Sequence, residues 1–439
     1  MHRALVREPG CCIRKLGGGR RDREIRFSRF LRHPAVKPEA IFESAGERTS
    51  LLAKGRAVLA IQDNSHLELG GSKRRTQGFG PVGKGGAQRG LSLHAVLAVD
   101  AVTGEVLGLA GAEVWNRTGG QKVSPRASRS LDEKESGRWM RGAETAARVL
   151  SKAASITVVA DRESDIYEDY AKRPEGVDLL CRMRHNRCLA DGQKLYDQLA
   201  AQRPDGQVES IDIPAKPGQP ARKAKLALRF CEVVIKAPKT GMPPEDLRRL
   251  PKSCTLWAID IREIDCPEAI TPVHWRLLST RAVTDRAAAL DMLRLYRMRW
   301  SIEEYFHCLK TGGFNIEAAG IGDPAPMMVL TAAAAVAAVT VMQLIKARDK
   351  PEGQAIAVVF DTHDCKVIAA VNADYEGPNP RPRQKNPHPK QSLAHATWVI
   401  GRLGGWTGYY DKPGPKTLNA GLQKFYAIKQ GALMMRRDM

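Results

Sequence analysis

Acidic residues are scarce in this chain of 439 residues, where 48 Asp and Glu face 69 Lys and Arg for a formal net charge of +21. The imbalance says little about fold, but it favours a polyanionic partner, either nucleic acid or an anionic membrane surface. Cysteine pairs of the CxxC type are missing and the nine cysteines are odd in number. A disulfide framework and a zinc ribbon are therefore not expected, which suits a reducing cytosol. The ten histidines show no HxxxH spacing, so no zinc site is expected either. The first 25 residues lack the apolar run of a signal peptide. Long hydrophobic runs are nearly absent too. Residues 325–342 (APMMVLTAAAAVAAVTVM) barely reach the length of a bilayer span, and their alanine content reads as a buried helix. These absences leave a soluble, cytoplasmic protein of two or three domains with no membrane partner.

The segment with the most chemistry is 291–311, DMLRLYRMRWSIEEYFHCLKT. At 100° per residue, Tyr296, Arg299, Glu303 and Lys310 fall within about 60° of one another on a helix. Met298, Ile302, Phe306 and Leu309 form a separate apolar stripe that can face a core. One face thus carries a carboxylate framed by two cations and a phenol, which suits a metal ion beside a phosphate backbone. A surface helix with i,i+4 ion pairs would carry the same residues.

Along the chain, residues 1–30 hold nine Lys or Arg and read as a flexible basic arm. RAVLAIQDNSHLEL (56–69) reads as a strand carrying Asp63, followed by a Gly- and Lys/Arg-rich loop over 70–90. LSLHAVLAVD and GEVLGLAGAEVW form a hairpin around the turn AVTG. A helix over 134–154 leads to the buried strand SITVVAD, which ends on Asp161. Residues 178–282 alternate short Val/Ile/Leu runs with basic, Pro- and Gly-containing turns, a mostly β insertion. Helices resume over 283–311 and 325–348, and a Pro-rich basic linker over 376–390 precedes a helical tail. GFGPVGK (78–84) fits half of a P-loop, but Gly85 replaces the Mg²⁺-binding Ser/Thr and a strand follows, so no nucleotide cofactor is expected.

Asp63, Asp161 and Glu303 stand on an early strand, a later strand and a helix. That is the plan of an RNase H-like nucleotidyl transferase, whose two metal ions about 4 Å apart are bridged by carboxylates. Tyr296, Arg299, Glu303 and Lys310 have the spacing of the Y-(2)-R-(3)-E-(6)-K signature, and the chain resembles the insertion-sequence-4 family of DDE transposases. Asp63 in AIQDNS and Asp161 in VADRESDIY are similar to the family's first and second catalytic aspartates. KESGRW, VHWRLL, RWSIEEYFHCLKTG and IGRLGGW are similar to further segments, in the same order.

The resemblance implies an α/β fold: an RNase H-like core, with a mixed five-stranded sheet and flanking helices, interrupted by a β insertion and followed by a helical C-terminal region that dimerises. The core would comprise 31–177 and 283–375, the insertion 178–282, and the C-terminal region 391–439. It implies cut-and-paste transposition with two Mg²⁺ ions, which Mn²⁺ can replace, held by Asp63, Asp161 and Glu303. The implied partners are DNA, as transposon ends and target, and a second copy of the chain. Tyr296, Arg299 and Lys310 would contact phosphates, Trp275 would stack a flipped base, and Arg182 and Arg184 would contact DNA from the insertion. Fewer than 30 residues precede FLRHPAVKPEAIFES, where the family carries a helical end-recognition domain. A truncated copy is the alternative reading: a catalytically silent chain that binds DNA, or inhibits a full-length transposase by heterodimerisation.

Overall fold

The computed structural model describes residues 1–435 apart from 9, 72–75, 118–128, 131–133, 216–219, 269, 349, 351, 379–384 and 409–411. Parts of the expected basic loop (72–75) and of the Pro-rich linker (379–384) lie outside the described residues. The protein is mixed α/β. Its strands are β1 (Ala57–Glu68), β2 (Gly80–Val82), β3 (Gln88–Asp100), β4 (Val106–Trp115), β5 (Ser155–Ala160), β6 (Val177–Arg182), β7 (Glu209–Ile213), β8 (Arg222–Lys236), β9 (Ser253–Ile264) and β10 (His274–Ser279). The chain divides into two compact units, and β1 contributes to both.

One unit holds Val58–Asp63 and Gln121–Arg299. Its strands lie in the order β1-β5-β6-β10-β9-β8-β7. β5 and β6 run parallel, with Ile156 opposite Val177. β5 is an unbroken buried run, Ile156 through Ala160, as expected for a strand covered on both faces. β10, β9, β8 and β7 are antiparallel to their neighbours. In β8 the alternation of buried Ala224, Leu226 and Leu228 with outward Lys223 and Lys225 shows a single core face. The run of short apolar segments expected over 178–282 is therefore strand-rich.

The helix Arg138–Val149 buries Trp139, Met140, Ala143 and Ala146. Gly142 lets this helix approach β1, because a Cβ there would stand 2.3 Å from Oε1 of Gln62. Gln62 is buried at 1% exposure and immediately precedes Asp63. The helix Arg286–Met298 is capped by Asp285, whose carboxylate accepts from the Ala288 N–H at 2.8 Å.

The other unit holds Met1–Ala57, Asn64–Gly120 and Trp300–Met439. Here β3 pairs with β1, β2 and β4. The expected β3–β4 hairpin is present, and Asp100 shapes its turn by accepting from the N–H groups of Val102 and Thr103, both at 2.9 Å. Gly104 supplies the positive φ of 69° that closes it. The centre of this unit is the helix Pro324–Ala347, which packs against β4 and against the helices His2–Arg7, Pro38–Ala53, Trp300–Lys310, Leu393–Leu403 and Pro415–Met435. By length and hydropathy it could cross a membrane, yet 89% of its apolar window is buried within the protein. Gln343, near the end of this helix, donates to the Leu107 carbonyl, so its buried amide has a partner.

Three sequence expectations differ from the structure, the first being the loop read over 70–90, which contains β2 (Gly80–Val82) and the start of β3 at Gln88. Residues 1–30, read as a flexible arm, contain the helices His2–Arg7, Ile13–Leu16 and Arg21–Arg32, with Leu5 and Leu16 fully buried. The single helix read over 291–311 is two helices, Arg286–Met298 and Trp300–Lys310. The first closes at Arg299, whose N–H turns back to the Tyr296 carbonyl three residues earlier, a tighter bond than the α pattern.

The close approach at Gly142 generates a first prediction. Gly142→Ala should cost about 1–3 kcal/mol in a urea melt, because the added methyl must displace buried Gln62. Adding Gln62→Ala should recover part of the loss, and an unchanged midpoint for Gly142→Ala alone would refute the contact.

Candidate active site

Asp63 stands on β1 after the buried run Val58–Ile61. Its carboxylate is one-fifth exposed and accepts from the Arg299 guanidinium, Nη1 to Oδ2 3.2 Å. The two residues are 236 positions apart in sequence. The Arg299 guanidinium lies 5.9 Å from the ring centre of Tyr296. That ring is buried and meets Trp275 edge-on, with centroids 6.0 Å apart. Asp63, Arg299, Tyr296 and Trp275 thus form one continuous contact chain. Burial raises the Tyr296 phenol above its ordinary pKa, the positive charges of Arg299 and Arg182 pull it back, and Cys181 and Asp161 add to the rise. The phenol is therefore neutral at neutral pH, a hydrogen-bond donor and not an anion.

Asp161 follows β5, the strand beside β1. It caps the short turn Arg162–Ser164, its Oδ1 accepting from the Glu163 N–H at 2.8 Å. The β1–β5 neighbour relation brings the first two sequence-nominated carboxylates, far apart in the chain, to adjacent strands of one unit.

Arg182 ends β6, where its guanidinium donates to the His274 carbonyl at 3.1 Å. Arg184 is exposed, and its backbone N–H is held by Asp165 at 2.7 Å. Arg184 also lines a cavity of ≈ 390 Å³ that includes Lys134, Arg162 and His185. The two arginines named together from sequence therefore differ: one braces a strand end and the other opens onto a recess whose cations are matched by Glu163, Asp165 and Glu168.

In the other unit, Glu303 sits half-buried in the first turn of the helix Trp300–Lys310. Ile302, Phe306 and Leu309 of the expected apolar stripe are buried, joined by Tyr305 and Cys308, while Met298 is half-buried. Lys310 pairs with Glu317 at 3.3 Å.

Sequence reasoning missed two carboxylates that organise the cations of the first unit. Asp165 is fully buried and accepts from the backbone N–H groups of Arg184 and His185 and from Arg187 at 2.6 Å. It fixes the backbone that presents Arg184. Asp260, on β9, binds Arg229 at 3.4 Å, His274 at 2.7 Å and Arg276 at 3.3 Å. The period-2 pattern of β9 and β10 would have placed these side chains on one face, since Arg276 and Asp260 are register partners.

Among the described residues, no three His, Cys, Asp or Glu side chains gather closely enough to hold a metal ion by themselves. The donors at hand are carboxylate oxygens, the hard ligands that Mg²⁺ takes. That ion binds through one or two carboxylates and completes its shell with water and substrate phosphate. No known family model matches the chain.

Near Asp165 lies a buried acid with a pH consequence. Asp169 is 6% exposed, and neither carboxyl oxygen has a hydrogen-bond partner among the described residues. Burial, followed by the charges of Glu168 and Asp165, raises its pKa well above 3.8. The folded protein keeps a proton that the unfolded chain releases above 3.8, so stability falls as pH rises from that value toward the raised one. Asp169→Asn should remove this slope. Its melting temperature should exceed that of the wild type by an amount that grows as the pH rises above 3.8, and a difference independent of pH would contradict the assignment.

Proposed function

We propose that this chain is a DDE-type DNA transposase that hydrolyses a phosphodiester at transposon ends, passes through a hairpin and transfers the strand to target DNA. The observation that carries the reading is the pair of Asp63 on β1 and Asp161 directly after the neighbouring strand β5, with the Arg299 guanidinium already on Asp63. An RNase H-like core with a β insertion, two Mg²⁺ ions replaceable by Mn²⁺, a homodimer on DNA and a cytoplasmic location belong to the same reading. Metal ligation is assigned to Asp63, Asp161 and Glu303. When bound, Mg²⁺ supplies Lewis-acid polarisation of the scissile phosphate and lowers the pKa of the attacking water or hydroxyl.

The remaining roles fall to the chain's own side chains. Arg299 neutralises Asp63 and, facing a phosphate, can share its fork of donors between carboxylate and phosphate. The neutral Tyr296 phenol donates without adding negative charge beside a polyanion. Lys310 is a further phosphate contact in this reading, and Arg184, exposed on the surface, is suited to backbone contacts that position DNA without reading its sequence. Trp275, resting edge-on against Tyr296, keeps a flat indole suited to stacking an unpaired base, an interaction of about 1–3 kcal/mol.

The test is cleavage of DNA taken from the sequence that flanks the gene, with Mg²⁺ or Mn²⁺. Asp161→Ala and Glu303→Ala should each reduce cleavage to background while DNA affinity stays close to that of the wild type. Cleavage retained in either variant would sink the assignment. DNA binding by the wild-type chain without cleavage would point instead to a DNA-binding chain without the chemistry.

A further inference from the structure

The amino-terminal helices and the carboxy-terminal helix of one unit enclose a recess unrelated to the candidate carboxylates. It is a cavity of ≈ 460 Å³ lined by Arg3, Arg7, Arg23, Arg26 and Lys429. Phe27 and Tyr426 also line it, and fully buried Leu16 lies at its wall. Lys429 is neutralised by Asp361 and Asp364, and Arg26 has an exposed partner, Asp22, at 3.9 Å. Arg3, Arg7 and Arg23 have no carboxylate at ion-pairing distance among the described residues. Arg7 donates to the amide oxygen of Gln430 at 3.1 Å.

A second recess, ≈ 820 Å³, lies along the same helix Arg21–Arg32 and is lined by Arg14, Arg21, Arg29, Arg32 and His33. There Arg21 and Arg32 pair with Glu24 and Asp323, while Arg14 and Arg29 have no such partner among the described residues. Among the described residues, five guanidinium groups around one helix thus have no carboxylate partner. Concentrating like charges in concave sites is unfavourable unless an anion joins them.

We propose that the two arginine-lined recesses flanking Arg21–Arg32 form a sequence-independent binding surface for the phosphodiester backbone of nucleic acid. Planar guanidinium forks match phosphate oxygens, and several at spaced positions match a repeating polyanion better than a single small anion. Phe27 and Tyr426 add ring faces at one recess, as single-strand binding surfaces do. A membrane-binding helix would instead turn its apolar side outward. Here Leu31 is buried, and only Ile25 and Phe30 are exposed, at 38% and 37%. The surface is built without any of the three candidate catalytic carboxylates.

The experiment is fluorescence anisotropy of the full chain with a labelled duplex of arbitrary sequence, in EDTA, from about 50 to about 200 mM salt. Each phosphate contact contributes about 0.9 to the slope of log affinity against log salt, so Arg3→Gln/Arg7→Gln/Arg23→Gln should lower the slope by about 2–3. The wild-type chain supplies an arm that needs no variant. Duplex DNA should protect Arg3, Arg23 and Arg29 from phenylglyoxal, read by mass spectrometry of the peptides. An unchanged slope, or equal modification with and without DNA, would overturn the proposal. So would protection by phosphatidylserine vesicles but not by DNA, which would assign the surface to membranes. Because binding is read without Mg²⁺, a failure here is distinct from a failure of the cleavage test.

Discussion

The contact between Asp63 and Arg299 is the constraint on which the candidate site rests. It ties the middle of β1 to the residue where the helix Arg286–Met298 ends, and both side chains are mostly withdrawn from water. In such surroundings the attraction is stronger than on an open surface, and losing one partner leaves the other charge poorly solvated. The same guanidinium reaches toward Tyr296, which rests on Trp275. A single guanidinium therefore stands between a carboxylate and a phenol that itself meets an indole. Lysine could match the charge but not the planar, multi-donor geometry.

A second principle is how a basic chain uses few acids. Asp165 gathers two backbone N–H groups and one arginine, and Asp260 gathers two arginines and a histidine. Asp260 faces two guanidinium groups with one carboxylate, so positive charge remains around it in a fixed arrangement, whereas Asp165 balances Arg187 and spends its other contacts on backbone N–H groups. Fixed cations meet a polyanion at lower entropic cost than mobile ones. Removing Asp260 would release several side chains together, and removing Asp165 would free Arg187 and the backbone that presents Arg184, which makes each more consequential than any one arginine it holds.

Much of the architecture was legible in the sequence because it follows from periodicity. β5 is a continuous apolar run, β8 alternates, and the β3–β4 turn carries Asp and Gly at the positions its backbone requires. Asp63 and Asp161 could be placed on strands for the same reason. Their arrival on neighbouring strands could not be read from periodicity, since nothing local in β1 specifies β5 as its neighbour. The break at Arg299 was hidden because it has neither proline nor glycine; the surroundings of the side chain, not its backbone preference, coincide with it. The amino-terminal helices were hidden for a related reason. Segments as short as His2–Arg7 have no stability of their own and become helical when Leu5 finds a core. Asp161 and Asp165 look alike in DRESD, yet one caps a turn at the surface and the other is fully enclosed.

The helix Pro324–Ala347 has a consequence for biosynthesis. Its earlier-made neighbours, β4 and the helices His2–Arg7 and Pro38–Ala53, are already outside the ribosome when it emerges. Its later neighbour Pro415–Met435 is not, because about 70 residues must still be translated. At ordinary elongation rates that interval is roughly 3–14 s. For those seconds an alanine- and valine-rich surface of membrane-spanning length is only partly covered. The nascent chain at that stage is a natural client for holding chaperones, and for a targeting machinery that cannot distinguish a waiting core from a bilayer anchor.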